Sequence, residues 1–172
     1  MADVDFSLTL VLQIKTSKII NDMANVQQKS EKISAFGGIF FVLDRFTPEN
    51  ISELAPNEVF VFGSNLMGHH GGGAAWVAMK RFGAIWGQGV GLQGQSYGIP
   101  TMQGGVETIA PYVDEFIAFA ATRLDLTFLV TRIGCGIAGF RDEEIAPLFK
   151  EALDAPNIVL PESFVTLLLS KC

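Results

Sequence analysis

Apolar residues recur along most of the chain in the two spacings that strands and helices require. Short runs rich in β-branched and aromatic residues predict strands, and longer stretches with apolar residues three or four apart predict helices. The predicted strands cover residues 39–43, 59–62, 97–100, 127–131 and 157–160, and the predicted helices cover 72–82, 106–122 and 142–153. This alternation is typical of an α/β protein, here a three-layer α/β/α fold with a mainly parallel, mixed central sheet.

Local features refine this prediction. The runs VFVF at 59–62 and FLV at 128–130 are almost unbroken apolar segments, which suits central strands buried on both faces. Thr47 followed by Pro48 predicts a short helical turn, because proline is favoured at the first helical position. Residues 83–98 are rich in glycine and predict a loop.

The first 35 residues differ from the rest of the chain. Apolar residues alternate from Phe6 to Ile14, which predicts a strand, and Ser17 is placed to cap a helix that continues to about Ile33. We therefore divide the chain into an N-terminal extension, residues 1–35, and a main domain, residues 36–172. The role of the extension is left open between an added edge element, an interface arm and a translation start assigned too far upstream.

Charge and composition narrow the class of partner. The net charge is −6 and no run of lysine or arginine occurs, which argues against general binding to nucleic acids. Apolar residues make up 49% of the chain, yet no apolar run approaches the ~18 residues of a membrane helix, so we expect no membrane interaction. The 2 cysteines lack the spacing of a disulfide framework or a metal site, so we expect a cytoplasmic protein with no bound metal and no cofactor.

Two glycine-rich loops carry the candidate chemistry. The first, GSNLMGHHGGGAA, follows the strand at 59–62, and the second, RIGCGIAGF, follows the strand at 127–131. Glycine lets the backbone approach an anion closely, and the start of a helix directs unpaired N–H groups at it, so the loops predict a site for a phosphate-bearing ligand. GCGIAG formally matches a dinucleotide fingerprint, but too little chain follows for that fold, and the first loop lacks the Gly-Lys-Ser/Thr ending of a nucleoside-triphosphate loop.

Together the two loops resemble those of macrodomains, the family of ADP-ribose-binding domains. Gly63-Ser64-Asn65 with the glycine run that follows is similar to the first binding loop of that family, and RIGCG is similar to its second. The stretch from 63 to 101 also resembles uncharacterised macrodomain-like proteins of bacteria and phages. The resemblance covers about residues 39–160 and implies binding of ADP-ribose or a related derivative, free or attached to a protein.

The resemblance also implies a set of ligand contacts. Backbone N–H groups from Gly136 to Phe140 would wrap the diphosphate, Asn65 would face the distal ribose, and Phe140 would pack against a sugar or base. The complete set of implied contacts is Gly63, Ser64, Asn65, Gly71, Gly72, Gly73, Ala74, Gly134, Cys135, Gly136, Ile137, Ala138, Gly139 and Phe140.

Whether the site is catalytic is left open. Related hydrolases carry an Asp where this chain has Ala138 and a Lys where it has the run 101–103, so the mechanism that uses this pair is not expected. If the protein hydrolyses a phosphate or a protein adduct from the distal ribose, Asn65 and His70 are the candidates to orient the ribose and to activate water. The alternative is a non-enzymatic interaction or structural module with the same fold.

Three further features are expected to serve the structure. Cys135 is expected to be a small buried residue rather than a nucleophile. Acidic residues at 142–144 open a predicted helix, where they complement its dipole. Trp76 and Trp86 are expected to pack the first predicted helix rather than stack on a base.

Overall fold

The computed structural model describes residues 45–170. The strand and helix expected in the N-terminal extension, the boundary expected at residue 35 and the strand expected at 39–43 lie outside these residues. The fold is therefore described for the segment from Arg45 to Ser170.

A five-stranded mixed sheet forms the centre of this segment. Its strands are β1 (Glu58–Ser64), β2 (Gly91–Gln93), β3 (Ser96–Pro100), β4 (Thr127–Val130) and β5 (Ile158–Val159), in the order β2-β3-β1-β4-β5. β1 pairs in parallel with both β3 and β4, and β4 pairs in parallel with β5. β2 and β3 form an antiparallel pair, so the expected mainly parallel, mixed sheet is confirmed.

Within residues 45–170, four α-helices and one 3₁₀ helix connect or follow the strands. They are α1 (Gly73–Arg81), α2 (Val106–Ala121), α3 (Asp142–Ile145), the 3₁₀ helix (Ala146–Asp154) and α4 (Glu162–Leu169). The periodic apolar residues of α2 predict its bounds well, and its residues Ile109, Val113, Phe116 and Ala120 are buried as expected.

The two faces of β1 define the layers. Phe60 and Phe62 point to one face, where they pack against α1 and Phe82. Val59 and Val61 point to the other face, because successive side chains alternate along a strand. All four residues are buried, which explains the unbroken apolar run in the sequence.

Aromatic rings fill the core on this second face. Tyr97 of β3 lies opposite Val61 of β1, and Phe128 of β4 lies opposite Val59, so both rings point to this second face. The ring of Phe116 on α2 lies 5.0 Å from that of Tyr97 and 5.5 Å from that of Phe128, measured between centroids. Phe149 of the 3₁₀ helix and Phe164 of α4 extend the same cluster. The first face is therefore covered by α1, and the second face is covered by α2, the 3₁₀ helix and α4. This arrangement is a three-layer α/β/α fold.

The helical turn expected at Thr47 is wrong. The backbone N–H of Thr47 donates to the carbonyl of Leu160 at 2.9 Å, and its hydroxyl donates to the carbonyl of Val159 at 2.8 Å. Phe46 forms a parallel bridge with Leu160, so this segment runs extended beside the end of β5. The hydroxyl of Thr47 binds a neighbouring strand instead of capping a helix.

Two other elements differ from the prediction. The helix expected at 142–153 is α-helical only to Ile145 and continues as a 3₁₀ helix, because Pro147 has no N–H to donate to a carbonyl four residues earlier. β2 lies inside the segment expected to be a loop, and its pairing with β3 through Leu92 and Tyr97 gives it regular structure despite its glycines.

Candidate functional site

A cleft opens at the carboxyl ends of β1 and β4, which are adjacent parallel strands. The chain that leaves β1 enters α1 on one face of the sheet, whereas the chain that leaves β4 leads to helices packed on the opposite face. The connections therefore diverge, and such a divergence leaves the crevice in which open α/β sheets bind ligands. The cleft has a volume of about 380 Å³.

Both glycine-rich loops contribute to the lining of this cleft. The sequence-predicted site residues that line it are Gly63, Ser64, Asn65, Gly71, Gly72, Gly73, Ala74, Gly134, Gly136, Ile137 and Ala138. The structure thus brings together residues that are about 70 positions apart in the chain, as parallel pairing of β1 with β4 requires.

The first loop is held closed by its own asparagine. The side chain of Asn65 accepts a hydrogen bond from the backbone N–H of His69 at 3.0 Å and donates one to the carbonyl of His69 at 2.9 Å. Gly68 has a φ of +64° and packs directly on the backbone of Gln88, where a β-carbon would clash. Half of the hydrogen-bonding capacity of the Asn65 side chain therefore maintains the loop, and one amide hydrogen remains for a ligand.

The start of α1 presents unpaired backbone amides to the cleft. Gly72 is the N-cap residue, and no side chain caps the helix. The amides of Gly73, Ala74 and Ala75 are in the first helical turn and have no intrahelical acceptor. All these residues line the cleft, so the positive end of the helix dipole faces it.

The second loop turns sharply at Gly134 and at Gly139, which both have a positive φ. Gly134 has a φ of +73°, and its carbonyl accepts a hydrogen bond from the N–H of Phe140 at 3.0 Å. The carbonyl of Gly136 accepts another from the N–H of Gly139, also at 3.0 Å. Within the described segment the amides of residues 136–138 make no hydrogen bond, which leaves them available to an anion in the cleft.

Ile137 connects the two loops across the mouth of the cleft. Its side chain is 72% exposed, and its Cδ1 atom lies 3.1 Å from the position that a β-carbon on Gly72 would occupy. The glycine at 72 therefore makes room for the isoleucine. An exposed apolar side chain in this position can cover a bound ligand.

Four sequence-predicted site residues do not line the cleft: His70, Cys135, Gly139 and Phe140. Phe140 packs behind the second loop, where its ring lies 3.3 Å from the position of a β-carbon on Gly134. Gly139 has a φ of +80° and serves the turn that returns the chain to α3. These two residues support the shape of the loop from outside the cleft.

His70 has no exposed surface, although it was the expected general base. Its Nε2 atom lies 3.1 Å from the carbonyl oxygen of Ile85 and 3.0 Å from that of Gln88, so this nitrogen carries the proton and donates. The ring also packs edge-on against Phe62, with centroids 5.2 Å apart. The expected role of His70 in activating water therefore loses its geometric basis, and the histidine that lines the cleft is His69.

Arg132 brings a positive charge to the cleft that the sequence did not single out. Its guanidinium group forms an ion pair with Asp142 at 2.8 Å, and the arginine side chain remains 60% exposed. Burial alone would raise the pKa of Asp142, but the hydrogen bonds from Arg132, Ser163 and Cys135 together with the charge of Arg132 outweigh burial and hold that pKa below its ordinary value. Asp142 thus has a second role besides complementing the helix dipole, since it orients Arg132.

Cys135 is half-buried and is not suited to nucleophilic chemistry. Burial, together with the carboxylate of Asp142 that accepts its S–H, raises the pKa of the Cys135 thiol to about 12. At neutral pH the residue is a thiol and not the reactive thiolate. This agrees with the expected structural role of Cys135.

The remaining lining residues were not among the contacts predicted from the sequence, although four of them lie within the two glycine-rich loops. They are His69, Ala75, Thr101, Met102, Thr131, Arg132 and Ile133. The carbonyl of Ser64 accepts a hydrogen bond from the backbone N–H of Thr101 at 2.9 Å, which places the end of β3 beside the first loop. The parallel pairing of β1 with β3 could have indicated Thr101, because residues at the ends of neighbouring strands meet.

No family model, characterised protein or solved structure matches this chain. Among residues 45–170, no helix has the length and apolar content needed to cross a membrane. In the same part of the chain, no three His, Cys, Asp or Glu side chains are grouped so that they could hold a metal ion.

Proposed function

We propose that the cleft binds ADP-ribose or a closely related ADP-ribosyl derivative. The observation that supports this most strongly is the convergence of unpaired backbone amides from two glycine-rich loops at the ends of β1 and β4. Amides of this kind bind phosphate without a cationic surface, which suits a chain of net charge −6.

The diphosphate of the ligand would lie between the two loops. The amides of residues 136–138 would contact it from one side, and the first turn of α1 would contact it from the other. Arg132 would add one positive charge, and Asn65 would face the distal ribose with its remaining amide hydrogen. A volume of about 380 Å³ lies within the usual range for small-molecule sites.

Binding is better supported than hydrolysis. The only ionisable side chains among the described lining residues are His69 and Arg132, and no carboxylate is among them. A hydrolase needs a group that takes a proton from water and usually a second that protonates the leaving group. We therefore propose a binding protein, and a non-enzymatic interaction module without this ligand is the outcome if binding fails.

A glycine substitution in the second loop tests the proposal. A β-carbon on Gly136 would meet no atom of residues 45–170 within 4 Å, and the φ of Gly136 lies outside the left-handed region, so Gly136→Val adds bulk to the cleft without backbone strain. Ala121→Val adds bulk on the exposed last residue of α2 and serves as the matched control. We expect Gly136→Val to keep the Tm of the wild type and to lose ADP-ribose binding, whereas Ala121→Val keeps both. Equal affinity of the two variants would contradict the proposal.

A further inference from the structure

An exposed aromatic pair lies beside the cleft. The rings of His69 and Trp86 are stacked, with centroids 5.0 Å apart and an angle of 18° between their planes. His69 lines the cleft, and Trp86 is 57% exposed. Trp86 thus stacks on His69 and is half exposed, whereas packing against the first helix was expected. It extends the cleft outward with a half-exposed indole ring.

Both loops that carry this pair are fixed by hydrogen bonds. Asn65 binds both backbone groups of His69, and Gly87 donates its N–H to the carbonyl of Gly68 at 3.0 Å. The buried ring of His70 holds the carbonyls on either side of Trp86, those of Ile85 and Gln88. Trp86 is thus presented to solvent from a pre-organised loop, and pre-organised aromatic rings bind planar groups with little loss of conformational freedom.

The two chain segments that carry the pair contain no charged side chains. Residues 59–79 and 82–106 contain no Asp, Glu, Lys or Arg. A nucleic acid strand would bring several phosphates to this region, where the described lining of the adjoining cleft offers one cation, Arg132. A single uncharged ring matches the region better, because stacking on an aromatic side chain requires only a planar π-face.

We propose that the His69–Trp86 pair binds a neutral, planar heteroaromatic ring of the nucleobase class, carried on the distal ribose of the ligand. This inference rests on the proposed function, in which Asn65 faces the distal ribose. The side chain of Asn65 is hydrogen-bonded to the backbone of His69, so a base on that ribose would lie near the aromatic pair. The preferred ligand is then an ADP-ribose that carries a base at its distal end, in the manner of a dinucleotide. Free ADP-ribose would fill the cleft, which His69 lines, and would leave the indole ring of Trp86 unused.

Diadenosine diphosphate is the probe for this inference, because it is ADP-ribose with an adenine on the distal ribose. We expect it to bind the wild type about tenfold more tightly than ADP-ribose, beyond the statistical advantage of its two equivalent ends. Trp86→Ala should remove this difference and leave the affinity for ADP-ribose unchanged. Trp76→Ala is the matched control, since Trp76 is also exposed but makes no such stack, and it should keep the difference.

The possible results separate this inference from the proposed function. If ADP-ribose binds and diadenosine diphosphate binds no better, the aromatic site is overturned while the function stands. If the advantage of diadenosine diphosphate persists in Trp86→Ala, the second adenine does not use Trp86, and the inference is equally overturned. If neither ligand binds, the proposed function fails and this inference fails with it. The Tm of each variant establishes that it is folded.

Discussion

Ile137 of the second loop lies over Gly72 of the first, and its Cδ1 atom occupies the space 3.1 Å from where a β-carbon on Gly72 would be. The two loops are far apart in the chain, and this contact joins them at the mouth of the cleft. Because Ile137 is largely exposed, the contact contributes little to folding. A role in covering the ligand accounts for an exposed isoleucine at this position.

We predict that Ile137→Ala weakens ADP-ribose binding about tenfold. Full burial of a large apolar side chain contributes ~1.5–3 kcal/mol, and the lower end of this range corresponds to about a tenfold change in affinity. The loss should appear as faster dissociation in stopped-flow experiments, with an unchanged Tm. Leu124→Ala is the matched control, because Leu124 is similarly exposed and does not line the cleft. Equal dissociation rates for the two variants would show that Ile137 does not cover the ligand.

We predict that His70 and His69 differ sharply in their effect on stability. His70→Ala removes the donor that the carbonyls of Ile85 and Gln88 share, although each keeps a second donor, and it opens a cavity beside Phe62. The free energy of unfolding should fall by about 2–4 kcal/mol. His69→Ala, at an exposed position, should change it by less than about 1 kcal/mol. Urea denaturation measures both, and similar losses would contradict the structural role of His70.

We predict that the ion pair between Asp142 and Arg132 stabilises the fold at neutral pH and not in acid. The folded pKa of Asp142 lies below its ordinary value of 3.8, so its stabilising effect is complete above that pH and is lost as the pH falls through the folded pKa. The difference in unfolding free energy between the wild type and Asp142→Asn should therefore shrink below about pH 4.

Asp125→Asn provides the comparison for this effect. Asp125 pairs with Arg123 at the surface, where the aspartate side chain is 63% exposed and an ion pair contributes little. Chemical denaturation of all three proteins from pH 3 to 7 measures the effect. A difference between the wild type and Asp142→Asn that does not depend on pH would exclude the ion pair as its cause.

We predict that Cys135 is unreactive in the folded protein. Its thiol has a pKa of about 12, raised by burial and by the neighbouring carboxylate of Asp142, so very little thiolate exists near neutral pH. A Cys172→Ser variant leaves Cys135 as the single cysteine of the chain. Iodoacetamide at pH 7.5 should alkylate this variant far more slowly when native than when unfolded in urea. Equal rates would show that the thiol is neither buried nor bound to Asp142.

The sequence predicted the fold class because apolar runs and periodic helices are local signals. VFVF marks β1, and the spacing of Ile109, Val113 and Phe116 marks α2. Thr47 misled the prediction, because its hydroxyl binds Val159, more than a hundred residues away. No local pattern indicates such a partner.

The part of the candidate site that local sequence signals mark was predicted, and the part that depends on distant contacts was not. The glycine loops are visible in the sequence, and their residues do line one cleft. The choice between His69 and His70 depends on which ring turns inward, and this is decided by the distant carbonyls of Ile85 and Gln88. Arg132 was missed because it contacts Asp142 only once the second loop has folded.

Calorimetric titration of the wild type with ADP-ribose tests the central claim most directly, with AMP as the reference ligand. We expect a single site with a micromolar or lower dissociation constant, a binding free energy of about −8 kcal/mol or better, and much weaker binding of AMP. Absence of heat with ADP-ribose under conditions where the protein is folded, or equal affinity for AMP, would contradict the claim that the two glycine loops bind an ADP-ribosyl diphosphate.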